Sequence, residues 1–198
     1  SSSEVIGKMI HTAIDKRKRR EWVRIYLAEC DAKRLQPISP PLAAALASLS
    51  DQVRIVPVAD DEGYEAAFAA LAAMDDIGVV ICDSVDREVQ QSLRDSAAAA
   101  SAARRERIAV AAGGAGETVT ELLERAKALN SERVVLVAPG GTDEEGKAVS
   151  GLSLAAAVAG AIAGTTDPAL PLGGAVLSGL YGLETTYGDN DLDLLIRG

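Results

Sequence analysis

The 198-residue sequence predicts an α/β fold: a layered, mostly parallel sheet of about four core strands with helices on both faces. Three observations predict it. From Val53 onward, short apolar runs alternate with longer segments of helical periodicity. The short runs are continuous and rich in Val and Ile, as strands covered on both faces are. Finally, an apolar content of 48% includes only 3% aromatics, so the interior must be built from Ala, Val, Leu and Ile, small enough for helices to pack closely on a sheet.

The elements follow in order. Glu4 to Arg20 carries Val5, Ile6, Met9, Ile10, Ala13 and Ile14 at helical spacing. "EWVRIYLAEC" fits two readings: Val23, Ile25 and Leu27 alternate like a strand, whereas Trp22, Ile25, Tyr26 and Glu29 also fit a helix. "QPISPP" (Gln36 to Pro41) breaks what precedes it, and "PLAAALASL" predicts a short helix. "VRIVPV" is a strand that Pro57 confines to a sheet edge or a strand end. "DEGYEAAFAALAAM" predicts a helix, "IGVVICD" a buried strand and "DREVQQSLRDSAAAASAARRE" a long helix. "RIAVAA" and "ERVVLVAP" are strands, with the helix "GETVTELLERAKAL" between them and the helix "LSLAAAVAGAIAG" after them. Residues 1–50 are thus an N-terminal helical or irregular segment, and residues 51–198 an α/β core domain.

The formal charge of −9 disfavours nucleic acid as a partner. The basic run Lys16 to Arg20 goes against that trend and reads as a solvated face. Cys30 and Cys82 have neither CxxC spacing nor a histidine cluster nearby; Cys82 ends an apolar run and reads as a buried thiol, which suits a reducing compartment. The least polar stretch, Gly151 to Gly164, is shorter than the ~20 residues of a membrane span and rich in Gly and Ala, so no direct membrane insertion is expected.

In a sheet of this kind ligands bind beyond the carboxyl ends of the strands. Those ends carry Asp83 and Ser84, then Gly113 and Gly114, then Pro139 to Gly141. "GGAGET" lacks the lysine of a phosphate loop, and with Gly114, Gly116 and Val119 at the G-x-G-x-x-G positions the third glycine is missing. A plain strand-to-helix turn is the favoured reading, with Thr118 bonding at the helix start. "DSVDRE" reads as capping, with Asp83 or Ser84 before the helix and Asp86 or Glu88 in its first turn. Asp189, Asp191 and Asp193 have the spacing of calcium ligands, but Leu194 stands where an EF-hand loop needs glycine. They read better as the acidic start of a helix whose Leu192, Leu195 and Ile196 face a core. His11 is the only histidine, and no G-x-S-x-G elbow exists to give it a serine partner. No catalytic residue, cofactor or metal site is therefore assigned.

The C-terminal half carries a more specific signal. "ALNSERVVLVAPGG", "DEEGKAVSGLSLAAAVAGAIAGTTDPALPLGG" and "GLETTYGDNDLDLLIRG" together resemble the sheath proteins of contractile phage tails and their relatives in R-type bacteriocins and other contractile injection systems. In that pattern a strand "N-S-E-R-V-V-L-V-x-P" leads to a Gly-rich turn, an Ala/Gly-rich helix, "D-P-x-x-P-L" and an "L-D-x-L-I" segment. The resemblance spans Tyr64 to Gly198 and is most specific over Asn130 to Asp167. It implies a structural subunit that polymerises with itself around a tail tube protein and contracts to drive the tube through a membrane. Assembly in the bacterial host cytoplasm and a place in the virion tail are implied with it. The chain stops at "LIRG", where sheath proteins continue, so it is expected to be a core fragment without the C-terminal region that holds the tube contact and an arm. On this reading "GGTDEEGKAV" is a surface turn, and Ala155, Ala159, Gly160 and Ala163 pack a helix on the sheet. The rival reading is a flavodoxin-like or Rossmann-like small-molecule or nucleotide-binding enzyme domain that uses Asp83, Gly113, Gly114 and Gly116.

Overall fold

The computed structural model describes residues 25–29, 53–58, 61–142, 144–163, 172–173, 177 and 181–197. The expected helices at Glu4 to Arg20 and in "PLAAALASL", the basic run Lys16 to Arg20, His11 and Cys30 lie outside the described residues.

Strand β1 (Ile25–Glu29) and strand β2 (Val53–Pro57) come first, then a 3₁₀ turn (Asp61–Gly63) and helix α1 (Tyr64–Ala72). Strand β3 (Val79–Cys82), helix α2 (Arg87–Ala102), strand β4 (Ile108–Ala112), helix α3 (Val119–Leu129) and strand β5 (Val134–Val137) complete the repeating part. After it come the short strands β6 (Gly141–Thr142) and β7 (Ala148–Val149), helix α4 (Gly151–Ala163), strand β8 (Gly182–Leu183) and helix α5 (Asp189–Arg197).

Five strands form one parallel sheet in the order β2-β1-β3-β4-β5. The fifth strand is β1, the segment that fitted either a strand or a helix. Ile25 lies opposite both Val53 and Val79, so the strand period won and β1 joins β2 to β3. Pro57 is the last residue of β2, an outer strand, where its missing N–H removes no ladder bond from the interior.

Side chains alternate across this sheet with period two. Val79, Ile81, Val110, Ala112 and Val137 point to one face, where α4 covers them with Leu154, Ala155, Ala156, Ala159 and Ile162. Val80, Cys82 and Ala109 point to the other, beneath Ala67, Phe68 and Leu71 of α1 and Val89, Leu93 and Ala97 of α2. Helices therefore lie on both faces, and Cys82 is a buried thiol. Aromatic content is low, but Tyr64 and Phe68 stack with ring centroids 5.7 Å apart and are almost wholly buried. Helix α3 packs beside α2, and α5 packs on α3.

The expected surface turn after β5 forms part of a second, small antiparallel sheet in the order β7-β6-β8. One expectation fails: α5 forms at the predicted place, but Leu192 and Ile196 do not face a core and are 44% and 83% exposed. No residue of this nine-residue helix is buried, and Leu195, the third residue expected to face a core, is half-buried.

Candidate functional site

The strand order reverses between β1 and β3, because the chain passes from β1 outward to β2 and then back across β1 to β3. The carboxyl ends of these strands define the crevice in which sheets of this class hold ligands. Asp83 follows β3 there and is partly buried. Its Oδ1 accepts a hydrogen bond of 2.5 Å from the Tyr64 hydroxyl, whose ring is in the core. Asp83 is thus a fixed acceptor that ties α1 to the end of β3.

Neither Asp83 nor Ser84 caps α2, and that expectation is corrected. Asp86 is the N-cap, with its Oδ1 accepting from the N–H groups of Glu88 (2.8 Å) and Val89 (3.0 Å). Ser84 Oγ accepts from the Asp86 N–H at 3.1 Å and shapes the turn one step earlier. The chain needs these three residues to leave the sheet before the helix can start, so the capping aspartate is the one nearest the first helical turn.

The glycine turn after β4 is built for closeness. The Gly113 N–H bonds the Val137 carbonyl at 2.9 Å and extends the β4–β5 pairing by one residue. A Cβ on Gly113 would lie 2.8 Å from Leu122 Cδ2 and 3.1 Å from Ala138 Cβ. Gly116 has φ +69°, a left-handed conformation that strains other residues. At Thr118 the expected helix start is a full capping box: its Oγ1 accepts from the Glu121 N–H, and Glu121 Oε2 accepts from the Thr118 N–H. The Thr118 N–H and the Thr118 hydroxyl, both donating to Glu121 Oε2, hold the Glu121 carboxyl below the usual carboxylate range.

Three residues that sequence reasoning did not select complete the turn. Glu117 folds back over Gly114, whose N–H donates to Glu117 Oε2 at 2.9 Å. Arg125, from the middle of α3, donates to the same carboxylate from Nε (3.0 Å to Oε2) and Nη2 (2.5 Å to Oε1). Its Nη1 donates to the Val85 carbonyl at 2.8 Å and to Gln90 Oε1 at 2.9 Å. Gln90 in turn donates to the carbonyls of Ser84 (3.0 Å) and Ala112 (2.8 Å). The Arg125 and Glu117 side chains are only 5% and 14% exposed. The Arg125 hydrogen bonds hold the Glu117 carboxyl below its ordinary range; burial opposes them but does not win. A signal for these residues is present in the helical periodicity. Arg125 lies between Leu122 and Leu129 on the buried stripe of α3, and Gln90 lies on the stripe of Leu93, Ala97 and Ala100 in α2. A polar residue on a buried stripe must find a partner.

The candidate residues do not converge on one point. Asp83 is engaged by Tyr64, whereas Gly113, Gly114 and Gly116 frame the seat of Glu117. Among the described residues, no three His, Cys, Asp or Glu side chains form a metal-binding group, and no helix is long and apolar enough to cross a membrane. At α5, Asp193 pairs with Arg197 one turn on at 2.9 Å, and the Gly188 N–H donates to Asp191. The Tyr187 hydroxyl titrates above its usual range, first through burial and then through the charges of Asp191, Glu117 and Glu184. No protein-family model and no curated protein matches the chain.

Proposed function

We propose that this chain is the α/β body of a contractile-tail sheath subunit, which polymerises around a tube and acts through its surfaces without turning over a substrate. The observation that carries the reading is the run Asn130 to Asp167. The part of it within the described residues supplies an outer strand, a hairpin and a helix of buried alanines packed on the sheet. The turn most like a phosphate loop is occupied by the chain's own Glu117, which speaks for structure there. The exposed Leu192, Leu194 and Ile196 of α5 supply apolar area for contact with other chains. In such an assembly the work of contraction comes from two subunit arrangements of different energy, and linking arms join neighbours by adding strands to their sheets. The tail tube is the second partner, and the virion tail, assembled in the host cytoplasm, is the location.

Negative-stain microscopy of the concentrated full-length gene product tests this. Tubular polymers are the expected result. Particles that stay single at every concentration and salt condition tried count against it.

One observation favours a second reading. The order β2-β1-β3-β4-β5 is that of flavodoxin-like domains, which bind small molecules at the β1/β3 reversal, where Asp83 lies. A thermal-shift screen against nucleotides and divalent metals separates the two, because a ligand bound to the native state raises its stability by RT ln(1 + [L]/Kd).

A further inference from the structure

We propose that Arg125, Gln90 and the Gly114 amide form a preorganised seat for a small oxyanion, carboxylate or phosphate, which the Glu117 side chain fills in the native protein. The inference does not depend on the sheath reading.

The first support is that the cation is held from behind. Both partners of Arg125 Nη1, the Val85 carbonyl and Gln90 Oε1, are independent of Glu117, and Gln90 is fixed by the carbonyls of Ser84, in the turn after β3, and Ala112, the last residue of β4. Removing the Glu117 carboxylate therefore leaves the guanidinium in place, with its Nε and Nη2 edge aimed at an empty position. That planar edge is the one that binds carboxylate and phosphate in a two-point fork. The Gly114 N–H points at the same position from the other side.

Second, the seat is distinct from the helix end. The N-cap bonding of α3 is carried by Thr118 and Glu121, while the seat uses an amide four residues upstream of Thr118 and a side chain from the middle of the helix. Third, the occupant sits on a replaceable support. Glu117 lies in a turn next to Gly116, and its carboxylate bonds are to Gly114 and Arg125. The Glu117 side chain is also what fills the space a Gly114 Cβ would need, so the turn is shaped around a carboxylate. The seat lies at the carboxyl end of β4, the side of the sheet where ligands bind in this class of fold.

Because Glu117 is tethered, it competes at a high effective concentration, and free anions should not displace it from the wild-type protein at millimolar levels. The test is thermal unfolding of wild type and Glu117→Ala, titrated with sodium phosphate or sodium acetate against sodium chloride at matched ionic strength. Glu117→Ala is expected to melt several degrees lower in chloride and to recover saturably in one of the two oxyanions, while wild type does not respond. Recovery by acetate alone identifies a carboxylate seat, and recovery by phosphate identifies a phosphate seat. Glu117→Gln keeps the length of the side chain and serves if the alanine variant does not fold; it should show the same anion preference at higher concentration. If phosphate and acetate act no differently from chloride on every variant that folds, the seat is not preorganised and the inference is wrong.

Discussion

Arg125 and Glu117, eight residues apart, meet at 2.5–3.2 Å beneath the turn that joins β4 to α3. The pair holds one face of that turn closed while Gln90 fastens it to the turn after β3.

Removing one partner should cost much more than removing both. Arg125→Met leaves a buried carboxylate facing apolar atoms, and a loss of about 3–5 kcal/mol is expected. Pairing it with Glu117→Leu should restore a large part of that loss, since an uncompensated charge is no longer buried. Urea unfolding of the two single variants and the double variant measures the coupling.

The pair also gives stability a defined pH dependence. The folded Glu117 carboxyl titrates below the ordinary glutamate value of 4.5, so it binds a proton less readily in the folded chain than in the unfolded one. Its contribution is complete above about pH 4.5 and is lost as pH falls through the lowered folded value. Denaturation profiles between neutral pH and pH 3 should be shallower in Glu117→Gln than in wild type, and parallel profiles would contradict the assignment.

The two aspartates near α2 should behave differently. Asp86→Ala removes the N-cap and should cost about 1 kcal/mol. Asp83→Asn keeps an acceptor for Tyr64 and should cost less. Melts of the two variants decide which residue caps the helix.

Gly160 is buried within α4, in a helix whose Ala155, Ala156 and Ala159 lie in the core against the sheet. Gly160→Leu should destabilise by about 1–3 kcal/mol through overpacking. By contrast Ile196→Ser, at an exposed site, should change the stability of the isolated chain by less than about 0.5 kcal/mol. On the sheath proposal that same change weakens polymer formation, which sedimentation of assembled material would register.

The layered architecture was legible because strands such as "VVIC" and "IAVAA" are apolar on both faces and admit only a covered parallel sheet. Pro57 limited β2 to a sheet edge or a strand end, and the structure shows both: Pro57 ends the strand, and the strand is an outer one. β1 was harder to read because five residues of "IYLAE" satisfy two periods, and its pairing with both β2 and β3, a tertiary fact, decides between them. The turn at Gly113 was recognised as a turn, yet its chemistry lay in Glu117, Arg125 and Gln90, which are far apart in sequence and look like ordinary surface residues until the helical stripes are counted. Asp86 was displaced as the cap because sequence spacing does not show how many residues a chain needs to clear the end of a strand. Leu192 and Ile196 were assigned to a core because an amphipathic helix has an apolar side whether or not anything covers it.

The position of β1 bears on how the molecule can be cut. Residues 1–50 read as an N-terminal helical or irregular segment set apart from the core domain, yet Ile25–Glu29 supply the ribbon lying between β2 and β3. A chain starting at Val53 would therefore lose an inner plank, leaving β2 with no neighbour and β3 with a bare flank open to stray pairing. Any attempt to shorten this protein from its front should stop ahead of Ile25.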